Sequence, residues 1–231
     1  MSLAKLCLTC DGVSRSFSPI NNITMTGKRY QILYDIAEGQ HGYFSVAQAA
    51  EAGVPADRVR DMGRRHVVER LSRGVYRLTN FPHSARAPYM EAILWPAART
   101  GSAPGVLSHE SALALYDLSD ANPARAHITI APDRRPWREP PAHLVIHRAA
   151  LSDADVAHHD GIPVTTVART IRDCAADHLG PALIRHAIVD GRRKGWLLAD
   201  EAEQLTYASP VARPVIRQRR SEARPYEPDP G

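Results

Sequence analysis

The stretch PADRVRDMGRRHVVERLSRGVYRL, residues 55–78, decides the fold because its periodicity changes partway through. Its first half has helical spacing. Pro55 sits where a helix opens, at a first-turn position whose missing N–H costs nothing. Val59 and Met62 give that helix an inward side, while Asp57, Arg58, Arg60, Asp61, Arg64 and Arg65 occupy the rest. After His66 the pattern becomes β-like. Val67–Leu71 and Val75–Leu78 are short apolar-rich runs joined by Ser72-Arg73-Gly74, where glycine supplies the positive φ of a tight hairpin. Upstream, Tyr30, Leu33, Tyr34 and Ala37 recur at helical spacing from about Lys28, with Gly39 as a stop. Ser45 is placed to cap a short helix over Val46–Ala52, and Gly53 follows it. The order helix, helix, glycine-containing turn, helix, hairpin predicts a winged helix-turn-helix.

Outward from that unit, Asn80–Pro88 reads as a linker, with two prolines and no periodicity. Helical patterns cover Tyr89–Thr100, with Pro96 as a break, and Glu110–Leu118, with Ser108 as its cap. Strand-like runs at Ala126–Ala131 and Leu144–Arg148 flank a Pro- and Arg-rich loop, Pro132–Pro141. A second hairpin is expected from Val156–His159 and Ile162–Thr165 around Asp160-Gly161, then helices at Val167–Asp177, Pro181–Arg193 and Ala199–Tyr207. The expected class is α+β: an amino-terminal winged helix at 28–80 and a mixed α/β domain at 86–208. A polar, patternless leader at 1–27 and a Pro- and charge-rich tail at 209–231 are expected to be disordered. Met25 is a second candidate start.

The 231 residues carry a formal charge of +4, a weak bias that matters only if the cations cluster. They do. Residues 28–80 hold nine Lys or Arg, and seven of these fall between Arg58 and Arg77. Arg60 and Arg64, with Asp57 and Asp61, share one helical face. They are the leading contacts to base edges or phosphates, flanked by Arg58 and Arg65. Arg70, Arg73 and Arg77 belong to the hairpin, with Arg73 at the tip. All but three of the 29 basic side chains are arginine, which suits bidentate contact with phosphate and guanine, although a GC-rich genome produces the same bias. The competing reading is a protein-binding winged helix with a solvated arginine face, since Asp57 and Asp61 can pair with their neighbours.

Residues 52–78, AGVPADRVRDMGRRHVVERLSRGVYRL, resemble the amino-terminal domain of the AbiEi family of antitoxins. LSHESALALYDL (Leu107–Leu118) and GIPVTTVARTIRDCA (Gly161–Ala175) are similar to later segments of the same family. The resemblance implies a winged helix that represses its own promoter as double-stranded DNA. It also implies a carboxy-terminal domain that neutralises a nucleotidyltransferase-like toxin. The sequence departs from the family at His66, where relatives often carry glycine, and Gly63 lies inside the recognition helix. A plain winged-helix regulator with a ligand-sensing or oligomerising second domain is the alternative.

No assembled catalytic constellation is legible, and the chain is expected not to be an enzyme and to need no cofactor or metal. Ser108-His109-Glu110-Ser111 places a nucleophile beside a base, but adjacent helical residues do not face one another. His158 and His159 are consecutive on a strand and point to opposite faces. Asp153-Ala154-Asp155 lies some fifty residues from the only Gly-Ser pair, Gly101-Ser102. None of Lys5, Lys28 and Lys194 has an acid two residues before it, which removes a common nuclease pattern. Cys7-Leu-Thr-Cys10 lacks a second ligand pair, and three cysteines suit a reducing cytoplasm. No apolar run is long enough for a membrane helix. Arg192-Arg193-Lys194 forms a second cationic group, open to DNA, an acidic partner or solvent.

Overall fold

The structure is a computed structural model that describes residues 26–98, 103–136 and 138–208. Its first layer is the expected winged helix. Helix α1 (Thr26–Glu38) buries Leu33 and Ala37, so Thr26 and Gly27 open a helix instead of closing a leader. Helix α2 (Val46–Glu51) begins with a reciprocal cap. Ser45 Oγ accepts from the Gln48 N–H at 3.1 Å, and Gln48 Oε1 accepts from the Ser45 N–H at 2.9 Å. Helix α3 (Ala56–Arg64) buries Val59 and Met62. Pro55 caps it from outside with an extended ψ of 151°, one position earlier than the sequence suggested.

The end of α3 fixes the backbone conformation of His66. Val67 N–H reaches Met62 O, and His66 N–H reaches Gly63 O, each at 3.0 Å. This paired closure requires a left-handed residue at His66, whose φ is +58°. Gly39 does not act this way; His41 and Gly42 carry the positive φ that follows α1.

Three strands complete the layer: β1 (Tyr43–Ser45), β2 (Val68–Ser72) and β3 (Val75–Leu78), antiparallel in the order β1-β3-β2. At three residues β1 is too short to leave an alternation in the sequence. Because side chains alternate across a strand, β3 serves two cores. Tyr76 and Leu78 face the winged-helix core and Tyr76 stacks on Phe44, while Val75, with Tyr43 of β1, joins the core of the rest of the chain.

That second part begins with α4 (Ala87–Leu94), whose first turn takes in Pro88. The sequence pattern predicts a linker up to Pro88, but proline at a first turn costs no hydrogen bond. The helix stops before Pro96, and a short 3-10 turn spans Pro96–Ala98. Next come β4 (Val106–Leu107), α5 (His109–Leu115), β5 (Ala126–Ile130), β6 (Leu144–Arg148), β7 (Val156–His159) and β8 (Ile162–Thr165). Helices α6 (Val167–Ala176), α7 (Pro181–Arg193) and α8 (Ala199–Ala208) close the chain. The five strands form a mixed sheet in the order β6-β5-β4-β8-β7, so the class is α+β. β5 and β6 run parallel. Residues 1–25 of the leader expected at 1–27, the tail at 209–231, Met25, Cys7, Cys10 and Gly101-Ser102 lie outside the described residues. Among those described, no helix is long and apolar enough to cross a membrane.

Candidate nucleic-acid interface

Helix α3 projects two groups of arginines, one on each side of its buried Val59–Met62 seam. Arg60 and Arg64 share a concavity with Arg70 that is also lined by Glu69, His66, Val68, Tyr76 and Thr79. Arg70 reaches it because it sits opposite Tyr76 in the β2–β3 ladder and so takes the α3-facing side of the hairpin. On the other side, Arg58 and Arg65 meet Arg29 of α1 around Asp61. Arg60 and Arg65 are exposed and make no ion pair among the described residues. Arg58 lies 3.5 Å from Asp61 and 3.6 Å from Asp57, and Arg64 is hydrogen-bonded to Asp61. That bond from Arg64 is the main cause holding the Asp61 carboxyl below its ordinary range. Exposed pairs of this kind contribute little and are salt-screened, so phosphate can compete for these guanidinium groups.

The wing is built differently. Arg73 is exposed at the tip, but its carbonyl accepts from Arg138 at 3.1 Å, and Gly74 lies against Ala98. A Cβ on Gly74, whose φ is +91°, would stand 2.7 Å from the Ala98 methyl. Arg77 corrects the sequence reading. It is only 4% exposed, because it occupies the β3 face shared with Val75, and its guanidinium donates to the Phe81 carbonyl at 2.6 Å. A duplex cannot reach it.

Two cations escaped the sequence reading. Arg29 belongs to a helix assigned only a scaffold role. Arg138 lies in the Pro- and Arg-rich loop, stacked 4.6 Å over Trp95 and beside the wing tip. Burial, followed by repulsion from Arg73 and Arg70, lowers its pKa. No spacing connects either residue to the recognition helix, so only the fold could find them.

The remaining polar groups fall elsewhere. Lys194 is 2.6 Å from the Asp117 carboxylate and Arg193 is 2.9 Å from Asp190, so the second cationic group is partly neutralised. Asp155 closes a small cap on Ser152 and pairs with Arg169 at 3.2 Å. His158 is exposed, whereas His159 packs against Tyr116 and Trp196. Ser108 and His109 do face one another, with Oγ and Nδ1 2.9 Å apart. The helical-neighbour argument fails there because Ser108 is extended and His109 has a φ of +53°. Ser108 holds the cap position, but its hydroxyl caps nothing and is turned toward His109 and Thr129. Burial, then the neighbouring His147, brings His109 down to about 4, and the same two causes bring His127 to about 4.

Comparison with known proteins bears on the winged helix. No protein with a curated description matches the chain. Among solved structures, the RV2827C protein of Mycobacterium tuberculosis is similar at 16% identity and a TM-score of 0.46, over 82% of this chain and 73% of that one. Residues 31–79, which run from within α1 to the end of β3 and carry the exposed arginines of α3, match the family described as "Transcriptional regulator, AbiEi antitoxin".

Proposed function

We propose that the protein is an antitoxin that represses its own promoter by inserting α3 into the major groove of double-stranded DNA and resting the β2–β3 wing on the backbone. The observation that carries this reading is the concavity formed jointly by the recognition helix and the wing, where Arg60, Arg64 and Arg70 outnumber the one acid, Glu69. Clustered arginine on a groove-sized helix is the footprint of such binding. Arg58, Arg65 and Arg29 provide the phosphate contacts on the opposite side of the helix, and Arg73 and Arg138 extend them past the tip. The second part of the chain neutralises a nucleotidyltransferase-like toxin in the cytoplasm, and the protein acts by binding, not catalysis.

The test is coexpression with the neighbouring gene, with a reporter fused to the upstream DNA. An antitoxin restores growth against a toxic neighbour and silences the reporter. Silencing without growth rescue points to a plain regulator. If growth is not rescued and the reporter is not silenced, the reading is overturned.

A further inference from the structure

Three histidines far apart in sequence meet beneath α5. His127 and His147 lie on β5 and β6, whose parallel register pairs Thr129 with His147, so His127, Thr129 and His147 share one face of the sheet. His109, at the start of α5, lays its ring on that of His147 with centroids 3.5 Å apart and planes 14° from parallel. Asp177, just past α6, completes the group: one donor atom each from His109, His147 and Asp177 lie within 4.8 Å of one another. From this geometry we infer that His109, His147 and Asp177 bind a divalent cation of the zinc class, which ties α5, β6 and the end of α6 together.

Several features support the assignment. Imidazole nitrogen with a carboxylate oxygen is a zinc-type donor set, and three protein ligands leave a fourth position for water. Each imidazole also has its other nitrogen engaged, as metal-bound histidines do. Ser108 Oγ accepts from Thr129 at 2.8 Å and lies 2.9 Å from His109 Nδ1; the zinc-binding tautomer is the one in which Nδ1–H donates to that hydroxyl and Nε2 is left for the ion. His147 Nε2 meets His127 Nδ1 at 3.1 Å, which leaves Nδ1. His109 is buried and left-handed at φ +53°, one of seven non-glycine residues with positive φ among those described. A stack of imidazoles is also an expensive way to fill a core that apolar side chains could fill without polar partners. Donors around tetrahedral zinc stand about 3.4 Å apart, given bonds of 2.0–2.1 Å. Binding therefore draws the exposed Asp177 carboxylate inward and turns the two rings out of parallel, a rotation about the soft terminal torsion of histidine.

The test is a calorimetric titration of the tag-free, full-length protein with zinc chloride in chelator-treated buffer, repeated on variants. The wild type takes up one equivalent, and its Tm rises by roughly 5 °C at a hundredfold excess over Kd. His109→Ala, His147→Ala and Asp177→Asn each weaken uptake about tenfold or more. His158→Ala, on an exposed strand position, leaves it unchanged. Asp177→Asn keeps the test decisive if a histidine variant fails to fold, since that carboxylate is exposed and packs against no core. The inference is overturned if the wild type binds no zinc, or if Asp177→Asn and the folded histidine variants bind it as tightly as the wild type. It stands apart from the DNA-binding reading, and neither result decides the other.

Discussion

Helix α3 and the β2–β3 wing carry the same residue type at similar density, yet the fold uses their arginines differently. On α3, the buried side chains are Val59 and Met62, and the guanidinium groups stand in water, with Arg58 and Arg64 paired to Asp57 and Asp61 and Arg60 in no ion pair among the described residues. On the wing, Arg70 faces α3, Arg73 sits at a tip docked against Arg138 and Ala98, and Arg77 is buried. The difference arises from geometry. A lone amphipathic helix buries one stripe, whereas β3 is the central strand of a small sheet packed on both faces. Local arginine density is therefore a guide to a nucleic-acid surface only where the element has a solvent face.

The sharpest break in that comparison pairs one residue from each region. Arg60→Ala should lower affinity for the upstream DNA at least tenfold, about 1–3 kcal/mol if the contact is bidentate to guanine, with stability changed by less than about 0.5 kcal/mol. Arg77→Ala should do the reverse. Loss of its buried bond to the Phe81 carbonyl should cost about 1.5–3 kcal/mol in a denaturant melt, while the folded fraction binds DNA normally. Equal DNA losses in the two variants would erase the distinction.

Gly74→Ala probes the docked tip. The positive φ and the approach to Ala98 together should cost about 1–3 kcal/mol, read as a lower Tm. Asp61→Asn frees Arg58 and Arg64 from their shared acid, and affinity for DNA should rise a few-fold at low salt, with the gain shrinking as salt screens it. An unchanged affinity would mean that these two side chains lie off the duplex. The smallest effect belongs to the end of α3: His66→Gly should stabilise the protein by up to about 1 kcal/mol, since glycine adopts the left-handed conformation without strain.

Much of this was legible from sequence because the signals are local. The Ser45 cap, the Val59–Met62 seam, the Asp160-Gly161 hairpin and the three closing helices depend on neighbours a few positions apart. What escaped depends on pairing across distance. The short strands β1 and β4 have no period of their own and exist because β3, β5 and β8 offer edges to them. The burial of Arg77 follows from which face of β3 meets the second core, and no local pattern states that. The concavity's partners Arg60 and Arg64 could be read from helical spacing. Arg29 and Arg138, and the convergence of His109, His127 and His147, are consequences of the tertiary fold.

The central claim is that α3 offers its arginines to phosphate and base edges. It is tested most directly by titrating fluorescent upstream DNA with wild-type protein and with the Arg60→Ala/Arg64→Ala double variant over a range of salt concentrations. Each phosphate contact contributes about −0.9 to the slope of log K against log salt. The account predicts a steep wild-type slope and, in the double variant, weaker binding together with a slope shallower by up to about 2. Equal slopes and equal affinities for the two proteins would contradict it.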